Sequence, residues 1–436
     1  MEITARADRS NFFSLVNTWI LCAVFLVFAS IYGFSFERGN LNTFLGADTN
    51  GLAAAQTGAM RVIFVQNLIV YTMCLVFIFQ SARLVTQHLH RYALILGVLA
   101  WSFASVLWSA NPSTSAVNAL RMAINVLLVF CLFERYSANE LQKLVMLVGS
   151  VAAFGSLLMV FAFPQFGLQS RGQYALGAWE GIFGQKNLCG QAMLILLLPA
   201  FFVKLNHRFG TFLRVSYSVI VLLIIAMTRS AGAWLVTALC LTFIVLLKVT
   251  ERMRRQEAAL VVMGAATLVL AFGIAAAANF NTLMYALGKD PTMTGRTVLW
   301  KGLLNLIGKR PLCGYGFMAF WQGLTGPSRE LALQLGWLDL ASAENGALEL
   351  LLELGLIGLL LYIAVFLRAV KDAFYCFGRG ASPAALWYIS VLFYVLVANI
   401  ESGFLLVPSN LICILPVISF IGLRQEAERA SLERLA

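Results

Sequence analysis

Twelve long, mainly apolar runs divide this chain, and about 20 such residues are enough for an α-helix to cross a bilayer. They begin near Thr18, Val62, Tyr92, Thr114, Leu144, Leu188, Val215, Ala231, Ala258, Gly346, Ala384 and Gly403. Pro164 follows the fifth run and marks its stop. The run at Thr114 carries Arg121, and the short run at Val215 is parted from the next only by Arg229 and a few small residues. Of the 436 residues, 60% are hydrophobic and 12% charged, against about 45–50% and 25% in soluble domains. A single soluble domain, a disordered chain, a collagen and a coiled coil are thereby excluded. The expected fold class is an all-α polytopic membrane protein with about twelve transmembrane helices, forming one membrane domain over residues 1–436.

The net charge of +11, from 31 basic and 20 acidic residues, reads first as topology, because Lys and Arg collect in cytoplasmic loops. With a cytoplasmic N-terminus, 19 basic residues fall inside and 12 outside, and six of the outer ones share one long loop that is largely exempt from the rule. Merging the seventh and eighth runs would move the basic stretch from Lys248 to Arg255 outside. Twelve spans with both termini cytoplasmic is the consistent solution, and no nucleic-acid partner is called for. The first run is expected to be an anchor, since no clear A-x-A cleavage site follows it.

The eight cysteines outline no disulfide framework. Cys22, Cys74, Cys131, Cys240 and Cys413 sit in apolar runs, and Cys376 is assigned to a basic loop. Cys189 and Cys313 could face an oxidising side, but their spacing matches no metal motif. His88, His90 and His207 all lie in basic loops between helices, which excludes a histidine-rich metal site and a Ser-His-Asp triad. No cofactor box is visible.

Positive charge outside the long loop but on the outer side comes from Arg38, Arg61, Arg121, Arg171, Lys186 and Arg229. Arg38 and Arg61 flank a polar stretch and read as interface anchors. The long outer loop, Asn281 to Asn345, has 65 residues and makes the halves of the chain unequal, which counts against an inverted-repeat transporter. Within it Trp300, Leu303, Leu304 and Ile307 follow helical spacing, with Lys301, Asn305 and Lys309 opposite, Thr294 as N-cap and Pro311 as the stop. The apolar face is expected on the helix bundle or on lipid headgroups.

The outer segments carry, in order, WEGIFGQKN (Trp179 to Asn187), TRSAGAW (Thr228 to Trp234), GKDPTMTGRTVLW (Gly288 to Trp300), RPLCGYGFMAFW (Arg310 to Trp321) and SAENGALELLLELGLIGLLL (Ser342 to Leu361). These blocks, together with NIES (Asn399 to Ser402), resemble the O-antigen ligase and polysaccharide polymerase superfamily, most of all the succinoglycan-type exopolysaccharide polymerisation proteins. The resemblance implies an undecaprenyl-pyrophosphate-linked oligosaccharide donor and glycosyl transfer on the outer face of the bacterial inner membrane, without a nucleotide sugar or a catalytic metal. A chain-length regulator and a flippase are the partners it suggests. A ligase that moves the finished glycan to another acceptor, a transporter and a non-catalytic assembly partner remain as alternatives.

Arg121, Lys186, Arg229, Arg296 and Arg310 are the candidate cations for the pyrophosphate, because arginine binds phosphate bidentately. Snorkelling to the headgroups is the competing explanation for each. The superfamily that the chain resembles commonly carries a histidine directly before the asparagine of the SAEN-type block, just ahead of the tenth span. Here Glu344 occupies that position and Asn345 is kept, which makes Glu344 the candidate general base. Glu349 and Glu353 lie on the same helix face as Asn345, and with Glu401 they are candidate supporting acids that could pair with Arg229 or Arg121.

The topology is tested by labelling Glu330→Cys and Arg424→Cys, each in a cysteine-free background, with an impermeant thiol reagent on spheroplasts. Glu330→Cys should label and Arg424→Cys should not. The reverse pattern contradicts the assignment.

Overall fold

A computed structural model describes residues 65, 67–80, 89–169, 176–251, 253, 257, 295–322, 326–337, 340–403, 405–408 and 411–433. The runs near Thr18 and Ala258, together with Arg38, Arg61, Arg171, Thr294 and residues 281–293, lie outside them. Among the described residues the regular structure is helical, apart from an isolated bridge between Leu168 and Trp179. The principal helices are α1 (Asn67–Phe79), α2 (Ala93–Ala104), α3 (Pro112–Arg135), α4 (Ala138–Ala162), α5 (Lys186–Leu197) and α6 (Gly210–Met227). They continue with α7 (Ala231–Thr250), α8 (Arg296–Lys309), α9 (Arg329–Leu335), α10 (Gly346–Phe377), α11 (Pro383–Ala398) and α12 (Leu411–Leu432). Five of them, α3, α4, α6, α7 and α10, are long and apolar enough to cross a membrane. The chain is therefore an all-α, multi-pass membrane protein.

Polar residues set several boundaries that the apolar runs miss. α4 begins six residues before Leu144, because Ser137 and Glu140 form a capping box in which each side chain accepts the other's backbone N–H. α6 and α7 are separate helices, as expected. Thr228 Oγ1 returns to Ile225 O at 2.7 Å, and Ser230 Oγ accepts the Ala233 N–H at 3.3 Å. α12 starts at Leu411, later than the run at Gly403. Cys376 is not in a loop; it is buried in the last turn of α10.

The described residues form two compact units. One comprises the described parts of Met1–Leu89, Ala123–Thr237 and Pro408–Ile418. There α4, α5 and α6 pack together. Gly149 leaves room for the ring of Tyr217, whose hydroxyl donates to Leu196 O at 2.8 Å. Gly190 on α5 sits against Ala233, where an added Cβ would lie 2.5 Å from the alanine methyl. Such close approach of small residues is how helices pack in lipid.

The other unit comprises the described parts of His90–Met122, Ala238–Val407 and Ser419–Ala436, in which α10 packs against α2, α8 and α11. At one end of α10, Asp372 bonds Arg368 at 3.3 Å and Arg424 at 3.6 Å, while Glu428 bonds Arg424 at 3.0 Å and Arg91 at 3.1 Å. At the other end, α8, α9 and the segment 310–322 cover its first turns. α8 buries Leu299, Leu303 and Leu306 against Tyr315, Phe320, Leu331, Ala343 and Leu352. Leu304, expected on this face, is exposed, and Leu299 and Leu306 take its place, so the buried stripe is rotated from the one read in the sequence. Lys301, Asn305 and Lys309 are exposed, as expected. The N-cap is Gly295 in the left-handed region (φ 86°) rather than Thr294.

α10 is broken at Gly355, whose φ of 69° and ψ of −169° belong to a region open essentially to glycine alone. The break strands backbone groups that would cost several kcal/mol each if left unpaired in an apolar setting. Segment 311–316 supplies partners. Tyr315 N donates to Leu352 O at 2.7 Å and Gly316 N to Glu353 O at 2.9 Å. Leu356 N donates to Pro311 O at 2.8 Å and Ile357 N to Leu312 O at 3.3 Å. Trp101 Nε1 takes Leu354 O at 3.0 Å. Gly314 must be glycine for this approach, since a Cβ there would lie 2.7 Å from Glu353 O.

Candidate functional site

Residues 342–346, the turn that opens α10, are tied from every side. Ala343 is fully buried. Its N–H donates to Glu349 Oε2 at 2.7 Å, and its carbonyl accepts Trp300 Nε1 at 2.9 Å. Glu344 N donates to Ser342 Oγ at 3.0 Å. Asn345 caps the helix, its Oδ1 accepting from Ala347 N and Leu348 N at 3.1 Å each, while its Nδ2 donates to Ile400 O at 3.1 Å. Gly346 N donates to Asn399 O at 2.9 Å. The SAEN and NIES blocks, 55 residues apart, are thus joined through Asn345.

This lattice holds Glu344 in a left-handed backbone conformation (φ 52°). Such a conformation costs on the order of 1–3 kcal/mol and persists only where surrounding bonds impose it. The Glu344 carboxylate meets Arg296 Nη2 at 2.7 Å, with side-chain exposures of 34% and 21%. The candidate base and a candidate phosphate cation, 48 residues apart in sequence, therefore share one half-exposed ion pair. Arg296 is the first residue of α8, at the helix end whose dipole favours an anion.

Two of the supporting acids bond the segments that precede α10. Glu349 accepts from Ala343 N and from Trp321 Nε1. Glu353 is buried and accepts the backbone N–H of Met318. Both acids in the first turns of α10 thus fasten the loop to the helix. Glu401 is half-buried and adjoins Ile400, the acceptor for Asn345. Arg310 lies over the Tyr315 ring at 5.1 Å and donates to Trp108 O at 3.3 Å. Burial raises the Tyr315 hydroxyl pKa, and Arg310 lowers it in part. Arg121 donates to Asn118 Oδ1 at 3.2 Å.

Arg229 and Lys186 belong to the first unit. Arg229 is in the left-handed region (φ 50°) and donates to Leu176 O at 3.2 Å. Lys186 opens α5. The two blocks that carry them are joined by Ser230 Oγ to Asn187 Oδ1 at 2.8 Å, and Trp179 N donates to Met227 O, at the end of α6, at 3.0 Å. Between Trp179 and Lys186 lies Glu180, which was not among the candidates. Burial, opposed in part by the charge of Lys186, leaves its carboxyl pKa raised to about 7. Ser342 and Trp321 were also missed. All three stand inside the quoted blocks, so the signal was available. Among the described residues no group of three or more His, Cys, Asp or Glu could hold a metal ion.

Comparison with known proteins agrees with the resemblance. Residues 216–363 match the family model described as O-antigen ligase. That stretch contains Arg229, Arg296, Arg310, Glu344, Asn345, Glu349 and Glu353. The chain is also similar to the exopolysaccharide production protein ExoQ of Rhizobium meliloti (strain 1021), with 24% identity over 319 residues and 70% of each chain covered.

Charge reversal tests the central pair. Arg296→Glu and Glu344→Arg should each lower the unfolding midpoint of the detergent-solubilised protein. The double reversal should recover most of the loss, with a coupling of about 0.5–1 kcal/mol for a partly exposed pair. Strictly additive losses would show that the two side chains do not meet.

Proposed function

We propose that this relative of the O-antigen ligases is a glycosyltransferase of the bacterial inner membrane that polymerises undecaprenyl-pyrophosphate-linked oligosaccharide repeat units into exopolysaccharide. In this proposal the chain has twelve spans, both termini are cytoplasmic, and residues 281–345 face the periplasm. Chain-length regulator and flippase are its expected partners. The observation that carries the proposal is the Arg296–Glu344 pair, held on a fixed turn within the stretch that matches the ligase family.

The reaction follows from the chemistry of those groups. Glu344 takes the proton of the attacking sugar hydroxyl. The hydroxyl oxygen forms a bond to the anomeric carbon of the donor, and the bond from that carbon to the phosphate oxygen breaks. Undecaprenyl pyrophosphate leaves with the electron pair, and arginines stabilise the charge it gains. Arg296 and Arg229 are assigned to the pyrophosphate, with Lys186, Arg121 and Arg310 as further cations. Asn345 holds the turn, and the acids Glu349, Glu353 and Glu401 support it. A ligase transferring the finished glycan is the second possibility, favoured by the description of the matching family.

The test is chain growth in proteoliposomes supplied with lipid-linked repeat units. Wild-type protein should give a ladder of products, whereas a ligase would give none without a separate acceptor. Glu344→Gln should slow growth by about 10²- to 10⁴-fold, the usual contribution of a general base. Arg296→Ala and Arg229→Ala should each weaken donor use about tenfold or more, as expected for loss of a charge-assisted hydrogen bond. Wild-type rates in Glu344→Gln, with equal protein in the membrane, would contradict the assignment of the base.

A further inference from the structure

We propose that Glu349 is a positioning residue that fixes the reactive geometry of Glu344 through the backbone of Ala343, and that Trp321 fixes Glu349 in turn. The inference rests on Glu344 being the base, and it concerns residues that the reaction itself leaves untouched.

Glu349 sits in the first turn of α10, and its two carboxylate oxygens have different work. Oε2 accepts the Ala343 N–H at 2.7 Å, and Oε1 accepts Trp321 Nε1. Ser342 Oγ, which accepts the Glu344 N–H, lies on the same side. A Cβ added at Gly403 would sit 3.0 Å from Glu349 Oε2 and 3.1 Å from Ser342 Oγ, so these two oxygens flank one glycine. Trp300 Nε1 closes the other face of Ala343. Ala343, the residue before Glu344, is therefore held at both its N–H and its carbonyl. The backbone of Glu344 itself has φ 52°, which a non-glycine residue adopts only under constraint.

A carboxylate is suited to this role because it accepts at both oxygens. Glutamine can keep the Ala343 bond, but it then turns its NH₂ toward the indole N–H of Trp321, and two donors face each other. Trp321 is held in place by its ring, which packs edge-on against Phe320 at 4.6 Å. Loss of the lattice would let Glu344 relax toward an ordinary backbone conformation and swing its carboxylate away from Arg296 and the acceptor hydroxyl. A misplacement of about 1 Å at a reacting group can cost on the order of 10²-fold in rate.

The experiment is a double-mutant cycle on chain growth in proteoliposomes with lipid-linked repeat units, with kcat and the donor KM read separately. Glu349→Gln should lower kcat about tenfold or more while the donor KM stays within about twofold, because residues that act as one unit are strongly non-additive. In the Glu344→Gln background the same change should cost nothing further. Trp321→Phe keeps the ring and loses the donor, so it should lower kcat in the same way and gives a second reading if Glu349→Gln fails to fold. An equal loss from Glu349→Gln in both backgrounds would overturn the positioning role, since that is the behaviour of a merely structural acid. Wild-type kcat in both Glu349→Gln and Trp321→Phe would overturn it as well. Full activity in Glu344→Gln would sink the base first and this inference with it.

Discussion

The break in α10 is the constraint on which the second unit depends. A helix that leaves α geometry at Gly355 exposes carbonyls and N–H groups for which lipid has no partner. Segment 311–316 answers with four backbone hydrogen bonds, and Trp101 adds a fifth. This requires tight backbone contact and therefore glycines. Gly314 and Gly316 both have positive φ, and a side chain on Gly316 would strike Ser109. Ser105 Oγ accepts the Phe317 N–H at 3.0 Å, and Ser115 Oγ donates to Phe317 O at 2.8 Å, so the same segment is also fastened to the region of α2 and α3.

The acids of α10 make sense in this setting. Glu349 and Glu353 stand one turn apart, and each receives a donor from the covering segment, Trp321 and Met318 respectively. An ionisable side chain in a membrane helix is costly unless it faces protein or a cavity. These two are used as fasteners between a helix and a loop. The loop fixes the turn at 342–346, and the turn presents Glu344 to Arg296. The chain of cause runs from a glycine in an apolar helix to a carboxylate on strained backbone at its head. At the far end of α10 the network around Asp372 and Arg424 anchors the same helix by charge.

Much of this was legible in the sequence and some was not. Apolar runs located the long apolar helices among the described residues, and the small residues around Arg229 correctly separated α6 from α7. The ordered blocks pointed to Glu344, Asn345 and Arg296. Boundaries failed where polar residues decide them: the Ser137 capping box lengthens α4, and the polar end of α10 absorbs Cys376. The stripe on α8 was displaced because periodicity does not reveal which apolar neighbour faces the core. The break at Gly355 was invisible, since LELGLIG is a good helical pattern with no proline, and only the approach of residues 311–316 explains it. The Arg296–Glu344 pair is not legible in the sequence, because nothing local links positions 48 apart.

The most direct measurement is amide hydrogen exchange, by mass spectrometry in detergent, across residues 311–322 and 342–346 in the wild-type protein and in Gly355→Ala. If the break and the covering segment sustain each other, both stretches are strongly protected in the wild type. Alanine, which cannot adopt the Gly355 conformation without strain, then releases both while the far end of α10 around Asp372 keeps its protection. Fast exchange of Tyr315 and Gly316 in the wild type, or unchanged protection in Gly355→Ala, would contradict the account.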